Sequence, residues 1–220
     1  MNRCLESCKR MLVVVSLLLA GAIDAAAVTM PALTFEGGSP LAVNFNQTVG
    51  WRFNVSQAVT VSGLEWFDDF GDGLDTEHMV GIWNPGGSLV ASAEIPAGTA
   101  GSLVGGVWRE VAIAPTLLLP GMGYLIGGQN SGDSLDGVMC GGGTCDPMTV
   151  HTISRIQFQN AAFAPFGEFQ IPSIDTLGAP QGIFGPGLAV VPEPASIALV
   201  VLALGAMVAF GRSRRSVNVA

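Results

Sequence analysis

The stretch Val49–Val55, with the sequence VGWRFNV, alternates large apolar side chains with glycine and polar residues. In an extended chain, successive side chains point to opposite faces, so Val49, Trp51, Phe53 and Val55 share one face. That face is large and apolar enough to form part of a hydrophobic core. The stretch therefore predicts a β-strand with one side buried.

The same period continues along the chain. Val59 and Val61 extend it, and the segments Val107–Ile113 and Thr149–Gln159 repeat it. Turn signals separate these segments. In Asn84–Gly87 a proline presets one backbone angle and a glycine accepts a positive one. The chain holds 30 glycines and 13 prolines and no long amphipathic helical stretch between its two ends. The pattern predicts an all-β domain, a β-sandwich of roughly seven to nine short strands.

A different pattern follows the predicted sandwich. The segment Pro192-Glu193-Pro194 breaks the chain, because proline fixes φ and lacks an amide hydrogen. The uncharged run Ala195–Phe210 comes next, and as a helix it is slightly shorter than a ~30 Å hydrocarbon core. It is followed by Arg212, Arg214 and Arg215. Arginines at the end of an apolar run stop transfer and stay cytoplasmic, which predicts a C-terminal transmembrane helix with the sandwich outside. The alternative, a buried helix of a soluble domain, does not call for three arginines at its exit.

The order of these features resembles the PEP-CTERM sorting signal: a Pro-Glu-Pro motif, a short apolar helix, an arginine cluster and the end of the chain. The resemblance covers the segment from Val191 to the arginines. It implies an exported protein that is processed by an exosortase, a membrane-embedded enzyme. It also implies a Gram-negative host that produces exopolysaccharide, and a structural or adhesive role at the cell surface or in the extracellular matrix.

The N-terminal segment has the composition of a cleavable signal peptide. Arg3, Lys9 and Arg10 form a positive region, Met11–Ile23 is apolar, and Ala25–Ala27 supplies small residues for cleavage. We expect cleavage after Ala27, so that residues 1–27 are removed together with two of the four cysteines. An uncleaved N-terminal anchor is the alternative.

These signals divide the chain into a signal peptide (1–27), a β-sandwich ectodomain (28–164), a stalk rich in proline and glycine (165–191) and the sorting signal (192–220). Residues 28–191 contain three arginines, no lysine and fourteen acidic residues, a net charge of about −11. Binding of nucleic acid or anionic lipid through basic patches is therefore not expected. The run from Gly50 through Gly127 also resembles a β-sandwich module of exported bacterial proteins, which implies a fold and no particular activity.

The acidic loop Asp68–Asp75 is a candidate calcium site, with Asp68, Asp72 and Asp75 as ligands. Aligned to an EF-hand loop, it offers a carboxylate at position five and a glycine at position six. Phe70 and Met79 occupy positions three and twelve, so that a carboxylate ligand and the bidentate glutamate are missing. A solvated acidic turn is the competing interpretation, and we expect no cofactor.

Cys140 and Cys145 enclose four residues of a glycine-rich loop. In an exported protein a disulfide between them is the default expectation. A metal site that also uses His151 is the rival, but it would supply three protein ligands at best, without a recognised spacing.

The sequence offers little for catalysis. His78 and His151 are its two histidines, and no Gly-x-Ser-x-Gly motif occurs. We therefore expect a non-enzymatic protein, with hydrolase activity as the weakest alternative. A carbohydrate-binding β-sandwich module is the stronger alternative, because Trp66, Trp83 and Trp108 could stack on sugar rings if they shared an exposed face. Indoles in small sandwiches more often belong to the core.

Overall fold

The computed structural model describes residues 29–42, 46–131, 136–175 and 181–192, and in these ranges the protein is all-β. The strands, all paired antiparallel, are β1 (Met30–Pro31), β2 (Leu33–Gly37), β3 (Ser39–Leu41), β4 (Gln47–Val55), β5 (Val59–Phe67), β6 (His78–Trp83), β7 (Leu89–Ile95), β8 (Ser102–Val104), β9 (Trp108–Leu118), β10 (Gly121–Asn130), β11 (Val138–Gly141), β12 (Met148–Thr152), β13 (Ile156–Phe166), β14 (Ile174–Asp175), β15 (Gly182–Phe184) and β16 (Pro186–Val190). Several have only two to four residues, too few to leave a period in the sequence.

Two main sheets form the sandwich. One has five strands in the order β1-β16-β5-β9-β8, and the other has six in the order β14-β13-β4-β10-β6-β7. Two small sheets, β15-β11-β3 and β12-β2, accompany them. The fold class predicted from the alternating pattern, an all-β sandwich, is confirmed.

The core lies between β4 of the six-stranded sheet and β5 of the five-stranded sheet. Trp51 and Phe53 on β4, and Leu64 and Trp66 on β5, are fully buried. The Trp51 indole Nε1 donates a hydrogen bond of 2.9 Å to the Pro186 carbonyl, which ties β4 to the start of β16. Strand β4 therefore supplies core side chains and a link between the sheets.

The last strands correct the predicted domain boundaries. Residues 165–191 were expected to form a stalk, but β15 and β16 lie within this range. Strand β16 sits between β1 and β5, and all five of its residues are buried. The stalk prediction is wrong for this segment, and the sandwich extends to Val190. The error arose because glycine and proline suggest a loop locally, whereas the pairing with β5 spans more than a hundred residues.

The antiparallel register gives the sandwich two ends. At the exit end, β4 finishes at Val55, opposite both Gly121 and Ile156, and β5 begins at Val59, opposite Leu118. We name this the exit end because the chain leaves the domain there, after Val190. The other end, which we call the acidic end, carries the loop between β5 and β6. The described ranges contain no apolar helix of membrane-spanning length. The predicted signal peptide and tail helix lie outside these ranges.

Candidate functional site

The loop that joins β5 to β6 is held by a buried ion pair. Arg109 Nε donates to Asp68 Oδ2 at 2.7 Å, and the two side chains are 5% and 1% exposed. The guanidinium also donates to the carbonyls of Gly71 and Gly101, at 2.8 and 3.3 Å. Asp68 Oδ2 accepts a further bond from the Gly73 N–H, a residue whose φ of 120° favours glycine. Asp68 thus fastens the loop to β9.

Carboxylates cluster around this ion pair. Asp68, Asp69 and Asp72 each have an oxygen within 4.8 Å of the others. Asp69, Asp72 and Asp136 also line a surface pocket of about 390 Å³. Burial, reinforced by the negative charges of Asp136, Asp68 and Asp72, raises the pKa of Asp69. The structure therefore brings two of the predicted calcium ligands together and adds Asp69 to them.

The third predicted ligand, Asp75, is not a member of this carboxylate cluster. It lines the same pocket, and its backbone N–H donates to Asp136 Oδ2 at 2.7 Å. In addition, Asp68 Oδ2 already accepts hydrogen bonds from the Arg109 guanidinium and from the Gly73 N–H. These contacts hold the loop in its conformation through groups of the protein itself. Calcium binding at the loop stays a prediction.

His78, one of the two candidate catalytic histidines, is fully buried. Its ring stacks on the Trp66 indole with centroids 3.9 Å apart. Nδ1 lies 3.0 Å from the Gln129 carbonyl oxygen, and Nε2 lies 3.2 Å from Asp136 Oδ2. Both ring nitrogens are therefore engaged, and the ring connects β5, β6 and β10 rather than facing a substrate.

His151 lies far from that environment. It stands on β12 in a small two-stranded sheet, its side chain is 53% exposed, and Nε2 is 3.9 Å from Glu36 Oε1. The two histidines therefore do not form one site. The expectation that the protein is non-enzymatic is compatible with this placement and stays a prediction.

Cys140 and Cys145 are joined by a disulfide in the structure, with their Cα atoms 5.8 Å apart. Cys140 lies on β11, and its partner lies in the loop that follows. With both sulfurs in this bond, neither thiolate is available as a metal ligand beside His151.

The three candidate sugar-binding indoles are all buried. Trp66, Trp83 and Trp108 are 0%, 5% and 1% exposed. Trp108 packs edge-on against Phe35 and Phe67 in the core. These tryptophans therefore do not form an exposed stacking surface for carbohydrate.

Sequence analysis missed a pair of buried glutamates. Glu65 on β5 lies directly opposite Glu110 on β9, and the two residues are 1% and 8% exposed. Within the described part of the chain neither Glu65 oxygen has a hydrogen-bond partner, whereas Glu110 Oε2 accepts one from the Thr29 hydroxyl at 2.9 Å. Burial, and secondly the charge of Glu110, raises the pKa of Glu65 well above its usual range. No local pattern could have revealed this pair, because it arises from strand register.

The start of the predicted sorting signal lies at the exit end. The Val191 N–H donates to the Thr60 carbonyl at 3.1 Å, and Pro192 is exposed. A cavity of about 350 Å³ beside it is lined in part by Met30, Val59 and Arg155. The remaining predicted residues of the signal, namely Glu193, Pro194, Arg212, Arg214 and Arg215, lie outside the described residues.

Comparison with known proteins bears on this segment. Residues 190–215 match the family model described as the PEP-CTERM protein-sorting motif, which confirms the predicted sorting signal. The motif indicates a secreted bacterial protein whose precursor has a membrane-anchor region near its C-terminus. No curated protein matches the chain.

Among solved structures, the chain is similar to one titled "Xyl-CBM35 in complex with glucuronic acid containing disaccharide". The identity is 15%, the match covers 62% of this chain and 95% of the other, and the TM-score is 0.32. A likeness this low supports neither a shared ligand nor a shared site.

Proposed function

We propose that this protein is a non-enzymatic, exported β-sandwich that an exosortase recognises and processes at Pro192-Glu193-Pro194. In this proposal the precursor is anchored in the inner membrane of a Gram-negative bacterium by its C-terminal helix. Arg212, Arg214 and Arg215 hold that helix in place on the cytoplasmic side. The processed sandwich then serves as a structural or adhesive component of the cell surface or of the exopolysaccharide matrix, with extracellular polysaccharide as a partner.

The position of the sorting motif relative to the fold carries this proposal. The motif begins at residue 190, and the last strand ends at Val190. The backbone of Val191 still bonds to β5, and the exposed Pro192 is the first residue beyond these contacts. Cleavage beyond this point would leave every described strand intact. The described strands thus end before Pro192-Glu193-Pro194, where we propose that processing occurs.

The chemistry of the segment is compatible with proteolysis. A protease needs an extended, accessible backbone, and proline disfavours the helical conformation in the residue before it. Two prolines in three residues therefore keep a helix from extending back toward the sandwich. A helix of about sixteen residues is a marginal anchor. A cut before this helix breaks the covalent link between it and the sandwich.

Intact-mass analysis of surface-extracted protein, from a strain with its exosortase and from one lacking it, tests the proposal. We expect a product shortened at or after Pro192 in the first strain alone. Glu193→Ala should impair this shortening and leave signal-peptide cleavage unchanged. Glu168→Ala, which alters an exposed glutamate at the other end of the sandwich, is the matched control. A stable surface form that ends at Ala220 in both strains would show that the tail is an anchor alone.

A further inference from the structure

The exit end carries a group of exposed apolar side chains close to the point where the chain leaves the domain. Leu117 and Leu119 are each 59% exposed, and Met122 is 78% exposed. We call these three residues the apolar rim. They belong to the turn between β9 and β10 and its flanking residues. The three residues lie within six positions of the chain, and exposed apolar patches are typical of protein or membrane interaction sites.

The register places the apolar rim beside the sorting segment. Leu117 pairs with Thr60, and the Thr60 carbonyl accepts the hydrogen bond from Val191. Leu117 and Val191 are therefore separated by two strand spacings, roughly 10 Å. The rim and the beginning of the signal lie at the same end of the five-stranded sheet, the exit end.

Charge distinguishes this end from the other. The turns at residues 56–58, 84–88, 119–120 and 153–155 contain no acidic residue, and Arg155 is their one charged side chain. The loops at the acidic end, by contrast, carry seven described carboxylates, which are Asp68, Asp69, Asp72, Asp75, Glu77, Asp136 and Glu168. Phe70 is also exposed there, at 81%, but it lies between acidic residues. A negatively charged membrane surface would repel the acidic end and not the exit end.

The length of the chain beyond the fold decides what lies opposite the rim. Pro192 is separated from Ala195, the first residue of the apolar run, by three peptide units, which span at most about 11 Å. In the anchored precursor the exit end therefore lies next to the bilayer. A second protein could not be inserted there without lengthening this connection.

We infer that the apolar rim is a lipid-docking surface: before processing, Leu117, Leu119 and Met122 enter the headgroup region of the outer face of the membrane. The inference rests on the proposed anchoring by the C-terminal segment and goes beyond it, since an anchor alone leaves the sandwich free to tilt. Docking fixes the sandwich with its acidic end pointing away from the lipid. It also holds Pro192 at the depth of the membrane surface, within reach of a membrane-embedded processing enzyme.

Tryptophan fluorescence in lipid bilayers tests this orientation. The four native tryptophans are at most 5% exposed, so brominated lipid should quench them little. The precursor without its signal peptide, residues 28–220, is reconstituted in phosphatidylcholine vesicles as Met122→Trp or as the matched control Phe70→Trp. The vesicles are made with or without bromine near the headgroup end of the acyl chains. We expect a several-fold loss of the added emission for Met122→Trp and no loss for Phe70→Trp. Interfacial apolar side chains lie about 5–10 Å into the boundary between headgroups and acyl chains, within reach of such bromines.

Vesicle flotation separates the inference from the proposal on which it rests. Protein that floats with the vesicles and shows no quenching at Met122→Trp is anchored but not docked, which overturns the inference alone. Equal quenching of both variants would also overturn it, because the sandwich would then have no fixed orientation. Unquenched Met122→Trp with a blue-shifted emission and a dimeric mass would show that a second copy covers the rim. Protein that does not float would refute the anchoring as well.

Discussion

Substitution of Arg109 should destabilise the sandwich strongly, because Arg109 forms a buried ion pair with Asp68. In Arg109→Met, the buried Asp68 carboxylate keeps the Gly73 N–H but loses its positive partner. The carbonyls of Gly71 and Gly101 lose a donor at the same time. Breaking a buried pair by removing one partner costs about 3–5 kcal/mol in the free energy of unfolding. This is a large part of the stability of an average domain, about 5–15 kcal/mol.

Urea denaturation of the secreted body, residues 28–191, at pH 7 provides the measurement. The double variant Asp68→Asn/Arg109→Met should be less destabilised than Arg109→Met alone, because Asp68→Asn removes the carboxylate charge that would be left unpaired. Arg52→Met is the matched control. Arg52 pairs with Asp175 at 3.1 Å, but the two side chains are 27% and 54% exposed, so the loss should be about 0.2–1 kcal/mol. Equal losses for the two arginines, or no relief in the double variant, would refute the argument from burial.

Three further predictions follow from the described residues. The raised pKa of Glu65 means that the folded state holds a proton that the unfolded state releases above about pH 4.3, so stability is lost as pH rises from there toward the folded-state pKa. Glu65→Gln should remove this loss of stability. Urea denaturation at pH 5, 6 and 7 should show that the ratio of the variant's folding constant to that of the natural protein rises with pH, by at most about tenfold per pH unit. A ratio that does not change with pH would contradict the prediction. Mass spectrometry of exported protein should find Cys140 and Cys145 linked to each other, whereas alkylation of both without a reductant would contradict the bond. Millimolar calcium should shift the thermal midpoint little relative to a chelator, because Arg109 already engages the Asp68 carboxylate; a rise of many degrees would show that the loop binds the ion.

The alternating apolar pattern predicted the fold class because it is a local property. In β4, Trp51, Phe53 and Val55 are buried and the residues between them are half-buried, which is the alternation that indicates a strand. The burial of Gly50 between Val49 and Trp51 does not follow from that pattern. The number and order of strands were not predictable in the same way. Strands such as β14 and β15 have two or three residues and are defined by their partners alone. The error over the stalk has the same origin, since β16 is recognised as a strand through its pairing with β5.

For the candidate sites, too, local features were predictable from the sequence and contacts between distant residues were not. The acidic loop was visible in the sequence, and Asp68 and Asp72 do lie together, but the part played by Asp69 and the engagement of Asp68 by Arg109 were not visible. The possibility that indoles bind sugar depended on their exposure, which no spacing reveals. Burial of Trp66 against His78 excluded it there.

The sorting motif, the excess of acidic charge and the all-β class can be recognised without knowledge of the tertiary structure. Each of these depends on composition or on neighbours along the chain, and export machinery and membranes respond to such contiguous segments before the protein folds. The pairing of charges, the burial of aromatic rings and the position of the apolar rim beside Val191 become apparent in the folded protein. These properties depend on register between strands far apart in sequence. Antiparallel pairing brings such residues within about 5 Å of each other, whatever the length of chain between them.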